Sequence, residues 1–164
     1  MQQITPGALH LAMQITGSHD DALDILQNAV VKSLEHRNAP RPGEAGYKAW
    51  FYRAVHNLAI DWLRRENKID RHADIAESVA DDDPAQTLAT AQRHRTLHQA
   101  LAALPLVQRE IICLKDFHDF SYAEIADIMA IEPGTVMSRL HRARLALREK
   151  YMALENTPGA EDGL

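Results

Sequence analysis

SYAEIADIMAIEPGTVMSRLHRARLALREK, residues 121 to 150, carries the signals of two helices joined by a tight turn. Ser121 and Glu124 have the spacing of a capping box, which starts a helix, and Pro133 with Gly134 then interrupts the helical pattern. The second helix has an apolar face and an opposite polar face, which holds Ser138, Arg139, His141, Arg142 and Arg148. We interpret the stretch as a helix-turn-helix whose second helix enters the DNA major groove. A helical hairpin with a solvated basic face is the alternative.

The charge of the chain is unevenly distributed, although its formal net value is -5. Residues 48 to 72 hold six basic and three acidic side chains, and residues 133 to 150 hold five basic side chains and one acid, Glu149. Between these regions, residues 73 to 92 hold five acids and no Lys or Arg. Because phosphate responds to local charge, the negative total does not exclude nucleic acid as a partner.

Length and composition indicate a small globular protein of a reducing compartment. The 164 residues, of which 46% are hydrophobic, can bury one medium core or two small ones. No apolar run approaches the roughly 18 to 20 residues that span a bilayer. The start, MQQITPGALHLAMQIT, lacks the basic and apolar segments of a secretory signal. The single cysteine, Cys113, rules out an internal disulfide and is expected in the core, so we predict a cytoplasmic protein.

Helical patterns follow one another along the chain, and strand signals are almost absent. DDDP at residues 81 to 84 stops helices and favours a turn, so it indicates a domain boundary. We predict an all-α protein of two small helical domains joined by a flexible acidic linker. The predicted bounds are 1–70 for the N-terminal domain, 71–84 for the linker, 85–153 for the C-terminal helix-turn-helix domain and 154–164 for a disordered tail.

The N-terminal domain begins with two predicted helices. Thr5 and Pro6 favour the start of a short helix that ends near Thr16. Ser18 and Asp21 favour the start of a second helix, whose predicted buried stripe comprises Ala22, Ile25, Leu26, Ala29, Val30 and Leu34. Residues 36 to 46 contain two prolines and two glycines, and therefore predict an exposed loop.

A long helix is predicted from about Glu44 to Glu66, and it combines aromatic with basic side chains. Five of the nine aromatic residues lie within sixteen positions, namely Tyr47, Trp50, Phe51, Tyr52 and Trp62. The aromatic residues either form a core face opposite a solvated basic face, or they form a platform on which unpaired bases stack. The preceding polar loop favours the second interpretation, since it could receive an extruded base.

Three blocks, in this order, carry a resemblance to a known family. They are DDALDILQNAVVKSLEHR, YKAWFYRAVHNLAIDWLRR and LPLVQREIICLKDFHDFSYAEIADIMAIEPGTVMSRLHRARLALREK. Together they resemble the bacterial extracytoplasmic-function sigma factors, the two-domain promoter-specificity subunits of RNA polymerase. The resemblance extends from about residue 8 to about residue 152.

The resemblance implies a polymerase contact on the second helix, at residues 21 to 27. The family's contact residues correspond here to Asp24, Ile25, Leu26 and Gln27. Leu23 and Asn28 stand where the family usually has an acid, so the interface is less charged and its salt dependence is expected to be weaker.

The resemblance also implies that the long helix recognises the minus-ten promoter element and helps to open the duplex. The preceding loop would hold a flipped base of the non-template strand. The residues expected near that strand are Arg53, Asn57, Arg64 and Arg65. Asn57 could instead form an internal hydrogen bond.

For the helix-turn-helix, the family's readers of the minus-thirty-five element correspond to Thr135, Ser138, His141 and Arg142, with Tyr122 and Arg139 nearer the phosphates. Because arginine forms a bidentate contact with guanine, Arg142 is the first candidate for direct base readout. Met137 stands where the family often has Lys or Arg, so one contact differs and the promoter preference should differ with it.

The partners that the resemblance implies are core RNA polymerase, promoter DNA and an anti-sigma factor. The acidic linker resembles the segment that enters the polymerase channels, or it is a simple tether.

No catalytic constellation, cofactor motif or membrane segment is visible, so we expect no enzyme. His94 and His98 have the i, i+4 spacing of a metal-binding pair but no third ligand nearby in sequence. The alternative functions are a stand-alone helix-turn-helix regulator and a small hydrolase with a histidine-based metal site.

Overall fold

The fold of the protein is described by a computed structural model for residues 4–66 and 87–157. Within these ranges the chain forms helices and no strands, which confirms the predicted all-α class. The helices are α1 (Ile4–Thr16), α2 (His19–Glu35), α3 (Tyr47–Glu66), α4 (Leu88–Ala102), α5 (Leu106–Ile112), α6 (Tyr122–Met129) and α7 (Pro133–Asn156). A π-helical turn, Cys113–Phe117, directly continues α5. The predicted linker, residues 71–84, lies outside the described residues.

Side-chain caps start two helices where the sequence predicts them. The Ser18 hydroxyl accepts a hydrogen bond from the Asp21 amide at 3.3 Å, at the start of α2. At the start of α6, the Ser121 hydroxyl accepts from the Glu124 amide at 3.1 Å, and the Glu124 carboxylate accepts from the Ser121 amide at 2.8 Å. Both bonds of the predicted capping box are therefore formed, and two orphan amide groups of α6 are satisfied.

The long helix begins three residues later than predicted, at Tyr47 and not at Glu44. Gly46 has a φ of +84°, which is outside the helical region and is open to glycine at no steric cost. The Glu44 carboxylate accepts a hydrogen bond from the Arg41 amide at 2.8 Å and so closes the preceding loop. The loop therefore extends to Gly46, past the predicted start of the helix.

One hydrophobic core extends through both halves of the described chain. Helices α1, α2 and α3 pack on one another, and α4, α5 and α6 pack around α7 or the π-helical turn. Contacts of α1 with α5 and of α3 with α6 join the two halves, so residues such as Leu11, Phe51, Ile111 and Leu140 belong to the same cluster. Cys113 is fully buried, as predicted.

The predicted buried stripe of α2 is correct for most of its length and wrong at its end. Ala22, Ile25, Leu26 and Ala29 are buried, whereas Val30 is only half-buried. Leu34 is 76% exposed, because the C-terminal end of α2 extends past the edge of the core. At the other end of the chain, α7 continues to Asn156, three residues into the predicted tail.

Within the described ranges, two residues other than glycine adopt left-handed backbone conformations, and both lie in turns. Asp119 precedes α6 and has a φ of 54°, and Ala130 ends α6 with the same φ. A left-handed residue at the end of a helix is usually glycine, because a Cβ atom clashes with the neighbouring carbonyl oxygen. Ala130 is therefore a strained position in the turn between α6 and α7.

We predict that Ala130→Gly raises the free energy of unfolding by about 1 kcal/mol, because glycine removes this strain. Thermal or urea unfolding measures the effect. Ala123→Gly is the matched control, because Ala123 is exposed in the same helix with ordinary helical geometry. The control should lose about 0.5 to 1 kcal/mol. A loss of stability in both variants would contradict the strain at Ala130.

Candidate nucleic-acid interface

Helix α7 presents a polar face to solvent along its first three turns. Val136, Leu140 and Ala143 are buried against the rest of the C-terminal half. On the opposite side, Ser138, His141 and Arg142 are exposed, and Thr135 is half-buried. The Thr135 hydroxyl donates to the Glu132 carbonyl at 2.7 Å, and the Ser138 hydroxyl donates to the Thr135 carbonyl at 3.1 Å. The four predicted base readers thus share one face at the start of a long helix.

Not every basic residue of α7 belongs to this face. The Arg144 guanidinium makes a bidentate contact with the Asp116 carboxylate, in which Nε donates to Oδ2 at 3.1 Å. This contact ties α7 to the π-helical turn, so it has a structural role. Arg139 and Arg142 line a groove between α7 and the start of α5, together with Pro105, Val107, Gln108 and Ile111. Of these two arginines, Arg142 is exposed and Arg139 is half-buried.

Met137 stands beside the predicted readers and is 62% exposed. Its thioether gives this part of the face an apolar surface where a basic side chain would otherwise project. Tyr122, at the start of α6, is 36% exposed. The Lys115 ammonium lies 5.3 Å from the centre of the Tyr122 ring, which places a cation next to this predicted phosphate contact. Sequence patterns did not identify Lys115, because it lies outside the second helix.

The second predicted site lies along the outer side of α3. Arg53, Asn57, Arg64 and Arg65 are all exposed, and Arg53, Asn57 and Arg64 recur at the spacing of one helix face. Asn57 is exposed to solvent, and its contact with the strand stays a prediction. Arg64 lies 3.9 Å from Asp61, and the Arg65 Nε donates to the Asp61 carbonyl at 3.3 Å.

The aromatic residues of α3 mainly serve the core. Tyr47, Phe51 and Tyr52 are buried, and the Tyr47 and Phe51 rings stack with centres 5.8 Å apart. Trp50 and Trp62 are half-buried, and Trp50 packs near His36 of the preceding loop. Of the two interpretations of this helix, the structure favours a core face opposite a basic face. Trp50 and Trp62 are the aromatic residues that retain accessible surface.

A groove between α2 and α3 brings together residues that the sequence assigned to two different sites. Its lining comprises Asp21, Asp24, Ile25, Asn28, Leu58, Trp62, Arg65 and Glu66. Asp24 and Gln27 are exposed, but Ile25 and Leu26 are only 4% and 6% exposed. Ile25 and Leu26 therefore pack in the core, and the predicted polymerase surface depends on Asp24 and Gln27.

The predicted metal-binding pair, His94 and His98, lies on α4. No group of three or more His, Cys, Asp or Glu residues there converges to hold an ion. Burial, followed by the charge of His94, lowers the pKa of His98. Within residues 4–66 and 87–157, no helix combines the length and the apolar content that a bilayer span needs.

The sequence did not reveal that the two predicted DNA-binding halves contact each other. The Arg53 guanidinium donates to the Asp127 carboxylate of α6 at 3.0 Å, across 74 positions of sequence. His56 of α3 lies 3.5 Å from Glu110 of α5, and both side chains are buried. No local pattern could have identified these pairs, because helical periodicity gives the face of a residue and not its partner.

Comparison with known proteins matches both halves of the chain. The family model described as Sigma-70 region 2 matches residues 1–69, and the one described as Sigma-70, region 4 matches residues 94–147. The RNA polymerase sigma factor SigV of Bacillus subtilis is 35% identical over 142 residues, which cover 84% of this chain and 80% of SigV. The ECF RNA polymerase sigma factor SigW of Bacillus subtilis is 30% identical over 156 residues, which cover 88% of this chain and 82% of SigW.

A solved structure shares the arrangement of the helices. The sigma factor RpoE from Bartonella quintana, in complex with the anti-sigma factor NepR, matches with a TM-score of 0.70 and 26% sequence identity. The match covers 92% of this chain and 93% of RpoE. The comparison thus includes both halves and not only the helix-turn-helix.

We predict that Asp127→Asn increases the affinity of the free protein for single-stranded DNA, because it releases Arg53 from its partner. The gain should not exceed about fivefold, since an exposed ion pair contributes at most about 1 kcal/mol. Fluorescence anisotropy with a labelled oligonucleotide measures it. Asp119→Asn is the control, because it removes the same charge from an exposed residue that lies near Lys115 and not Arg53. An equal gain in both variants would show that only net charge matters.

Proposed function

The chain belongs to the sigma-70 family as an extracytoplasmic-function RNA polymerase sigma factor, and we propose that its two exposed polar faces grip the two promoter elements. In this proposal α7 reads the minus-thirty-five element and α3 contacts the minus-ten element. Core polymerase holds the protein through α2. The resemblance seen in the three sequence blocks is confirmed at the level of the family.

The observation that carries the proposal is the polar face of α7. Thr135, Ser138, His141 and Arg142 occupy one side of the helix, and the opposite side is anchored in the core. A recognition helix needs this division, because the residues that reach base edges must project from a rigid support. The Arg144 contact with Asp116 adds to that support by fixing α7 against the π-helical turn.

Support for the minus-ten contact comes from the basic stripe of α3. Arg53, Asn57 and Arg64 lie outside a buried aromatic face, so the helix can bind a strand without losing its packing. Arginine side chains attract the phosphates, and the half-buried Trp50 and Trp62 offer ring faces near the stripe. The ion pair of Arg53 with Asp127 must part before Arg53 reaches DNA.

Sigma factors initiate transcription as specificity subunits, and we propose that this chain acts in the cytoplasm without catalysing a reaction. It would associate with the nucleoid when active. RpoE of Bartonella quintana was solved with the anti-sigma factor NepR, and an anti-sigma factor is proposed as the second partner here. The stand-alone regulator is not favoured, because the N-terminal half also matches a sigma-factor region.

Reconstituted transcription tests the proposal as a whole. Core polymerase and the full chain would be incubated with a library of promoter fragments, and the transcripts would be sequenced. Enrichment of fragments that share two motifs at a fixed spacing is expected. Binding of the chain to duplex DNA without any transcription would instead support the stand-alone regulator.

We predict that Asp24→Arg combined with Gln27→Ala weakens binding to core polymerase by about tenfold or more, because it reverses a charge in the proposed interface. Binding of the free variant to duplex promoter DNA should stay unchanged. Surface-bound core polymerase and labelled protein give the dissociation constant. Glu149→Arg is the control, because it makes the same charge reversal on an exposed residue of α7, far along the chain from α2. Equal losses in both variants would reject the α2 interface.

We predict that Arg142→Ala costs about 1 to 3 kcal/mol in promoter binding and relaxes the preference at one base pair. Arg148→Ala is the control, because it removes the same charge from an exposed residue farther along α7 that is not one of the four predicted readers. Affinities for a set of single-base promoter variants separate the two roles. A uniform loss over all sequences for Arg142→Ala would indicate a phosphate contact.

A further inference from the structure

The contact between the two halves includes buried polar side chains. Several buried side-chain atoms on or near it lack a hydrogen-bond partner among the described residues, including the Nδ1 atom of His56, the Oε1 atom of Glu110 and the Nε2 atom of His118. Each such atom costs free energy that water would relieve if the surfaces parted. These costs offset part of the stabilisation that the shared hydrophobic core gives to the joined arrangement.

His118 lies at the centre of this contact. Its ring centre is 5.2 Å from that of Tyr52 on α3 and 6.0 Å from that of His10 on α1. The Tyr52 hydroxyl lies 3.4 Å from the His118 Nδ1 atom. Gly7 of α1 faces both side chains: a Cβ atom there would overlap the Tyr52 hydroxyl and would lie 3.1 Å from the His118 ring. The absence of a side chain at Gly7 thus makes room for the Tyr52 hydroxyl beside His118.

Among the described residues, a positive charge on His118 would face the Lys48 ammonium and the His10 ring, and no acid, from across the contact. The Lys48 ammonium of α3 donates to the His118 carbonyl at 3.0 Å and lies 4.7 Å from the Phe120 ring. His10 faces His118 from α1. On the His118 side, Asp119 is almost fully exposed and lies 3.9 Å from the Lys115 ammonium. The joined arrangement therefore favours a neutral His118.

The pKa shifts of His118 and of its neighbours agree with this geometry. Burial, then His10 and Lys48, lowers the pKa of His118 to about 4. Burial and the charge of His98 lower the pKa of His10. Burial raises the pKa of Tyr52 to about 12, so its hydroxyl stays protonated. Elsewhere in the contact, the ion pair of Arg53 with Asp127 opposes opening, because it attracts the two halves to each other.

We propose that His118 is a proton-sensitive latch between the two halves of the protein, which holds them together when neutral and releases them when the cytoplasm becomes acidic. The proposal goes beyond promoter recognition, although release would also free Arg53 from Asp127. The partner of this latch is the surface formed by Gly7, His10, Lys48 and Tyr52.

The direction of the effect follows from proton linkage. A histidine whose pKa is lower in the joined state binds its proton more readily in the parted state. The stabilisation is complete above the ordinary pKa of 6.5 and is lost as the pH falls toward about 4. Between pH 7 and pH 5, His118 alone should lower the closing constant by roughly twentyfold.

Energy transfer between two dyes on the full chain tests the latch without polymerase or DNA. Lys32→Cys and Glu149→Cys place the dyes on exposed positions of the two halves. Cys113 is fully buried, and burial raises the pKa of its thiol to about 12, so it should not be labelled. We expect transfer to change between pH 7 and pH 5 while the far-ultraviolet circular dichroism stays constant.

Three further variants decide the outcome. His118→Gln should abolish most of the pH dependence, and His19→Gln, which changes an exposed histidine outside the contact, should retain it. Asp127→Asn weakens the joined state, so its opening should occur at a higher pH than in the unmodified chain. Constant transfer in both the unmodified chain and Asp127→Asn overturns the proposal. An unchanged pH dependence in His118→Gln overturns it as well. Because neither readout uses a promoter, either result leaves the sigma-factor assignment to the transcription experiment.

Discussion

The contact between α3 and the segment before α6 is the constraint on which the rest of this structure depends. The Tyr52 ring meets the Phe120 ring edge-on at 4.9 Å, and this aromatic pair joins the cores of the two halves. The joint is aromatic at its centre and polar around it, and while it is closed it holds the exposed faces of α3 and α7 in fixed positions. A purely apolar joint would bind the halves more permanently, since every buried atom would favour contact over water.

The sequence predicted local structure well because local structure depends on neighbouring residues. The capping box at Ser121 and Glu124, the break at Pro133 and the polar face of α7 all follow from spacing within one or two turns. The predicted start of α3 was wrong, because Gly46 adopts a backbone conformation that an apolar pattern does not reveal. The prediction that Leu34 is buried was wrong, because an apolar pattern can continue along a helix past the edge of the core.

The candidate sites were less predictable than the fold. Ile25 and Leu26 share a motif with Asp24 and Gln27, but a motif does not say which of its members face inward. The pairing of Arg53 with Asp127 could not be predicted from the sequence, because it depends on how two helices that are distant in sequence pack together. Resemblance to the family suggested which positions contact DNA and polymerase. Only the packing shows which of those side chains already have a partner within the protein.

The π-helical turn has a mechanical consequence. It is closed by a hydrogen bond from the His118 amide to the Cys113 carbonyl at 3.0 Å, so it is one residue wider than an ordinary helical turn. Asp116 on this turn holds Arg144 of α7, and His118 at its end lies against Tyr52 of α3. Only Phe117 therefore lies between Asp116, which holds the recognition helix, and His118, which contacts the N-terminal half. A displacement of His118 from Tyr52 would be transmitted through this short segment to the orientation of α7.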